Sequence, residues 1–175
     1  MLFTPIGRLK TKIIFYLGAF LALFQLFAPV YLTELLDIQF RAVHVAFRLS
    51  IALLYFPFLK KKDETSPDNG ISLFDVFLVV VLIAANLNAF VKAMDIYMGT
   101  SGATLLDRSL GVALMLLVLE SARRTVGVAI PIMVVVLIGY IFTGDAFPGM
   151  WKLRGINFEY VIDSLYYSPL GIFGS

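Results

Sequence analysis

Hydrophobic residues in this chain form long unbroken blocks with short polar punctuation, and they do not alternate with polar ones. Ile13 to Thr33 is a run of 21 residues without a charge. Ala42 to Leu59 follows, interrupted once by Arg48, and then come Val76 to Val91 with Asp75 at its mouth, Ser109 to Leu119, and Thr125 to Gly144. A bilayer core of about 30 Å needs roughly 20 apolar helical residues to cross it. Lipid admits only helices or closed barrels as spanning structures, and continuous runs select helices. The pattern predicts an all-α, polytopic transmembrane bundle with four to five crossings, at residues 13–33, 42–59, 72–92, 104–121 and 125–144, so that 1–144 is the membrane region. Residues 145–175 form a tail expected along the membrane interface, because it carries Trp151, Tyr160, Tyr166, Tyr167 and Phe173, and tryptophan and tyrosine prefer the headgroup zone.

Two segments need comment. Ser109 to Leu119 is 11 residues, a rise of only about 16 Å. It spans only by recruiting Ala103 to Arg108 and Glu120 to Arg123; otherwise it dips in and returns. Pro131 inside the fifth segment predicts a kink. The first run is too long for the apolar part of a secretory signal and shows no small-x-small cleavage site, so it reads as a membrane helix. Lys60 to Gly70 is a polar hinge ending in turn residues.

Composition agrees with the pattern: 60% of residues are hydrophobic, 15% are charged, and mean hydropathy is +0.91. With 175 residues there is no room for a sizeable soluble domain. The net charge of +2 is too small to point to nucleic acid. The absence of cysteine removes disulfides and thiolate chemistry. With a cytoplasmic N-terminus and five crossings, eight Lys/Arg fall inside (Arg8, Lys10, Lys12, Lys60 to Lys62, Arg123, Arg124) and five outside (Arg41, Lys92, Arg108, Lys152, Arg154). That satisfies the positive-inside rule. A re-entrant fourth segment yields the same tally, so charge places the N-terminus but not the C-terminus.

Polar groups at membrane depth are the candidates for function. Arg48 and Asn86 fall at similar depth, and pairing of Arg48 with Asn86, or with a carbonyl or carboxylate of a partner subunit, would offset part of the cost of the cation; the plainer alternative is that Arg48 snorkels to water, and a substrate role is a further reading. His44 lies one turn before Arg48 on the same helix face. As the only histidine it cannot build a bis-histidine haem site, and it reads as an interfacial hydrogen-bonding residue. Asn88 and Gln25 read as interhelical polar contacts. Glu120 is three and four residues before Arg123 and Arg124, so a local ion pair forms if the helix continues, as part of a charge cluster that ends one membrane helix and starts another. No metal-ligand cluster, nucleophile elbow or phosphate loop is present. No catalytic, cofactor or metal residue is assigned, and an enzyme is not expected.

The string Leu117-Val118-Leu119-Glu120-Ser121-Ala122-Arg123-Arg124-Thr125-Val126-Gly127, followed by Ala129-Ile130-Pro131-Ile132, Tyr140, Phe142-Thr143-Gly144, Phe147-Pro148-Gly149 and Gly171-Ile172-Phe173-Gly174, resembles one family. It is similar to the N-terminal, small-subunit region of the permease of tripartite ATP-independent periplasmic (TRAP) transporters, in the branch served by TAXI-type binding proteins. The match covers Leu105 to Gly174; before Ile71 only hydropathy and layout agree. In fused permeases the chain continues past Gly-Ile-Phe-Gly, whereas this sequence stops at Ser175, so it is either a separate subunit or a piece of a fusion.

The resemblance implies a multi-pass protein of a bacterial or archaeal cytoplasmic membrane, and a scaffold role in secondary uptake of organic acids by sodium or proton symport. Its implied partners are a large transport subunit of about twelve crossings, a periplasmic TAXI-type binding protein and membrane lipid. It carries over no substrate-binding residue. The rival readings are a free-standing small membrane protein, such as a channel or haem-bearing anchor, and an assembly factor for another complex.

Overall fold

Short polar signals set the ends of the helices. A computed structural model describes residues 5–31, 35–56, 58, 72–153, 156–168 and 171–173. The Lys60 to Gly70 hinge lies outside the described residues. The described chain is all helical: α1 (Pro5–Tyr31), α2 (Asp37–Tyr55), α3 (Leu73–Val91), α4 (Ala93–Met98), α5 (Leu105–Thr125), α6 (Ala129–Thr143), two 3-10 turns (Gly144–Ala146 and Gly149–Trp151) and α7 (Phe158–Tyr166). Ser72 caps α3, its Oγ accepting from Phe74 N–H at 3.3 Å. Thr104 and Asp107 cap α5 reciprocally. The Thr104 hydroxyl accepts from Asp107 N–H at 3.3 Å, and the Asp107 carboxylate accepts from Thr104 N–H at 2.8 Å. At its other end α5 carries Arg123 and Arg124, which favour the negative end of the helix dipole. Gly127, at φ +109, then turns the chain into α6.

Four stretches are long and apolar enough to cross a membrane: Thr11–Tyr31, Asp37–Tyr55, Leu73–Val91 and Ala129–Ala146. The all-α bundle expected from the hydropathy pattern is therefore present. α5 is not among the four, because charges crowd both its ends. Nevertheless it runs the length of the bundle antiparallel to α3: its first turn meets the end of α3 through Asp107 and Lys92, and its last turn meets the start of α3 through Arg124 and Asp75. α7 returns to the first turns of α5, where Arg108 pairs with Asp163. α6 and the segment after it carry the chain back from the Arg124 end to the Asp107 end.

Segment boundaries differ from expectation where caps override hydropathy. The second segment is Asp37–Tyr55 in place of 42–59, since the Gln39 side chain caps Leu36 N–H at 3.1 Å. The fourth continues through the charge cluster to Thr125, so α6 starts at Ala129 and Pro131 sits in its first turn. A proline there has no intrahelical N–H bond to lose, and the expected kink is replaced by a helix start.

The core lies where α2, α3 and α5 meet, around Ala42, Leu53, Leu82, Ala85, Ala89, Leu114 and Leu117. Alanines at the α2–α3 seam let the two backbones approach closely, the usual way helices associate in lipid. Gly111 does the same for α7: a Cβ there would sit 2.8 Å from the Tyr166 Cβ. The aromatic tail consequently divides. Trp151 and Tyr160 remain exposed, whereas Tyr166 and Phe173, each 1% exposed, pack into the core.

Candidate functional site

Polar side chains gather in three places, one at each end of the bundle and one midway along α2. At the Arg124 end a single guanidinium joins three helices. Arg124 Nη1 donates to Asp75 Oδ1 on α3 at 2.7 Å and to the Phe56 and Leu53 carbonyls at the end of α2, at 3.0 and 3.3 Å. Its Nε donates to Glu120 on its own helix at 2.7 Å. The carbonyls left over at a helix C-terminus need such donors. The Phe58 ring lies 5.4 Å from the guanidinium carbon, within cation–π range. Arg123 forks onto both oxygens of Glu120 at 2.8 Å. The expected Glu120–Arg123–Arg124 cluster is present, but inside the last turn of α5, and Arg124 is buried with Asp75 at 3% and 2% exposure.

At the opposite end Asp107 is fully buried and saturated. Lys92 Nζ lies 2.7 and 2.9 Å from its two oxygens, and Asn88 Nδ2 donates to it at 2.8 Å, as does the Thr104 hydroxyl at 2.7 Å. Asn88 thus makes the interhelical contact expected of it. Tyr166 OH accepts from Asn88 at 3.2 Å and donates to the Ala85 carbonyl at 2.7 Å. Burial pushes the Tyr166 phenol up to about 12. Arg108 completes this end with a two-pronged bond to Asp163, both contacts at 3.0 Å, and an ion pair to Glu159 at 2.9 Å.

Midway, Gln25 of α1 bonds His44 Nδ1, and Arg48 Nη1 lies 3.4 Å from His44 Nε2. His44 therefore has the hydrogen-bonding role expected of it. The expected Arg48–Asn86 pair does not form. Ala46 of α2 packs toward α3 beside Asn86, and Arg48, two residues on, projects about 160° away around the helix. Asn86 bonds the Leu82 carbonyl at 2.8 Å instead, and its Oδ1 is buried without a partner among the described residues.

The grooves are apolar. One of about 370 Å³ runs between α2 and α3 beside Ala42, Ala46, Phe47, Ile83, Asn86 and Phe90, and a second, of about 740 Å³, lies along α6 beside Tyr140 and Trp151. Among the described residues no group of three His, Cys, Asp or Glu could hold a metal. The two end clusters consume their own charges, and the arrangement is one that clamps helices together. Asp75, Lys92, Asp107, Arg108, Asp163 and Tyr166 were not singled out from the sequence as site residues. The spacing Thr104-x-x-Asp107 was the legible signal for one of them; the others pair across 15 to 81 residues of chain. No protein-family model, curated protein or solved structure matches this chain.

Proposed function

We propose that this chain is the small membrane scaffold subunit of a TRAP transporter of the TAXI branch, packing against and stabilising a large subunit that moves organic acids by secondary transport. The observation that carries the scaffold reading is the contrast between internally ion-paired polar clusters and bare apolar helices. Only 6% of the α1 span and 6% of the α6 span is buried within the chain. Such faces suit packing against lipid and other helices, and helix association in lipid proceeds through surfaces of this kind. A carboxylate carrier needs convergent cations and amides in a cavity; the cations of the end clusters are already paired and the grooves are apolar. The resemblance of the string from Leu117 to Gly127 supports the family reading.

In this reading the chain spans the cytoplasmic membrane five times from a cytoplasmic N-terminus, the Arg124 end is cytoplasmic, and α7 is periplasmic beside the Asp107 end. The native absence of cysteine gives a clean topology test. A membrane-impermeant maleimide should label cysteine at Tyr160, which is exposed on the tail, and not at Val126, which is exposed beyond α5. The function is tested by deletion. Removing this chain should abolish organic-acid uptake while the binding protein and the large subunit are still made, and affinity purification in mild detergent should recover the large subunit. Undiminished uptake, or saturable binding of a dicarboxylate to the isolated chain, overturns it.

A further inference from the structure

Arg48 is the one cation at mid-depth among the described residues that has no carboxylate beside it. It lies 11 residues from the start of α2 and 7 from its end, about 16 Å and 10 Å along the axis. Side chains on a helix lean toward its N-terminus. Arg48 follows the rule, reaching back one turn to His44. It therefore leans along the longer route to water, and its own length of roughly 6 to 7 Å does not close that distance.

The neighbours sharpen the chemistry. Arg48 can only donate, so His44 Nε2 is the acceptor and the proton sits on Nδ1. The Gln25 amide nitrogen faces Nδ1; with the proton on Nδ1 the amide must turn over, its oxygen accepting from that N–H and its NH2 group taking the opposite side. Everything the Gln25–His44–Arg48 ladder has left to offer is a donor, carried by a positive charge. Gln25 and Arg48 are both exposed. α1 meets α2 at Phe40 and Phe47, and the tail reaches α2 at Arg41. The Val45, Arg48 and Ala52 side of α2 lies between the α1 contacts and the buried Ala42 and Leu53 face, with Arg41 two turns before Arg48 on that same side.

We propose that this side of α2 receives a transmembrane helix of the large subunit carrying an aspartate or glutamate, whose carboxylate pairs with Arg48 and accepts from the Gln25 amide near the middle of the bilayer. The inference rests on the reading of this chain as one subunit of a larger membrane complex. A cation held in lipid without a counter-ion is expensive. An acceptor-only anion is the complement of a donor-only ladder.

The test places a photo-crosslinking amino acid at Val45 or Ala52, one turn to either side of Arg48, in the complete chain in native membranes, and identifies the captured peptide. Both positions should capture a membrane helix of the large subunit that contains Asp or Glu. Arg48→Gln should lower that capture about thirtyfold, and Arg48→Glu should abolish it. Arg48→Glu combined with lysine at the captured acid should restore it. Thermal unfolding of the purified Arg48→Gln chain in detergent should be unchanged, which separates lost docking from lost folding.

A captured helix without a carboxylate, or capture indifferent to Arg48→Gln, overturns the ion pair while co-purification of the large subunit leaves the scaffold reading standing. Capture of phospholipid alone, of a second copy of this chain, or of its own Lys60 to Gly70 segment overturns the docking surface. Absence of any polytopic partner overturns both.

Discussion

α2 and α3 have 22% and 28% of their spans buried within the chain, whereas α1 and α6 have 6% each, although α1 and α6 are as apolar as α3 or nearly so. Hydropathy does not separate the two groups. What separates them is polar attachment: α3, α5 and α7 are tied by Arg124–Asp75, Asp107–Lys92, Arg108–Asp163 and Tyr166–Ala85, and α2 by the Arg124 bonds to the Leu53 and Phe56 carbonyls. α1 is joined to α2 by aromatic contacts at Phe20 and Phe24 and by one Gln25–His44 bond. In lipid there is no hydrophobic gain in pressing one apolar helix on another. Ion pairs at the ends and close alanine seams then decide which helices form a unit, and an apolar helix without them remains available to a neighbour.

The comparison breaks most visibly at the clamp. Arg124→Ala leaves Asp75 and the ends of α2 without their donor in a site that excludes water, a loss of about 3–5 kcal/mol. Thermal unfolding in detergent should shift down accordingly, and unchanged stability would show that α2, α3 and α5 are held by packing alone. Gly111→Val tests the tail. The added side chain meets Tyr166 and Ile162, and overpacking of this kind costs about 1–3 kcal/mol. Release of α7 should expose the region around Tyr160 to protease while the α2–α3 seam persists.

A smaller effect concerns alkaline pH. The Tyr166 phenol ionises near 10 in the unfolded chain and near 12 in the folded one. The folded state therefore holds its proton more tightly. This contribution to stability is fully present below pH 10 and is lost as pH rises from 10 through 12. Tyr166→Phe should remove that component of the alkaline loss and cost about 0.5–1.5 kcal/mol at neutral pH through the missing bond to Ala85. The smallest effect belongs to the arms: Leu23→Ala on the exposed face of α1 should change the stability of the isolated chain by no more than about 0.5 kcal/mol. A large change there would dissolve the distinction between core and arm. A change seen only when a partner is bound would sharpen it.

That the membrane segments are helices, and roughly where four of them run, was legible in the residues alone, because lipid admits only helices or closed barrels and continuous apolar runs select helices. The Glu120–Arg123–Arg124 association was legible for a similar reason, since residues three and four apart on a helix are neighbours whatever the fold. The end clusters were not. Asp75 with Arg124, and Arg108 with Asp163, meet across 49 and 55 residues, and no local rule pairs one charged residue with another at that separation. The direction of Arg48 was equally out of reach, since depth follows from position along a helix, while the face that meets α3 follows from which alanines form the seam. The course of the fourth segment also waited on assembly. Charge counting gives one tally for a crossing and for a re-entrant turn, and only the bonds joining the two ends of α5 to the two ends of α3 show it running the full length of the bundle.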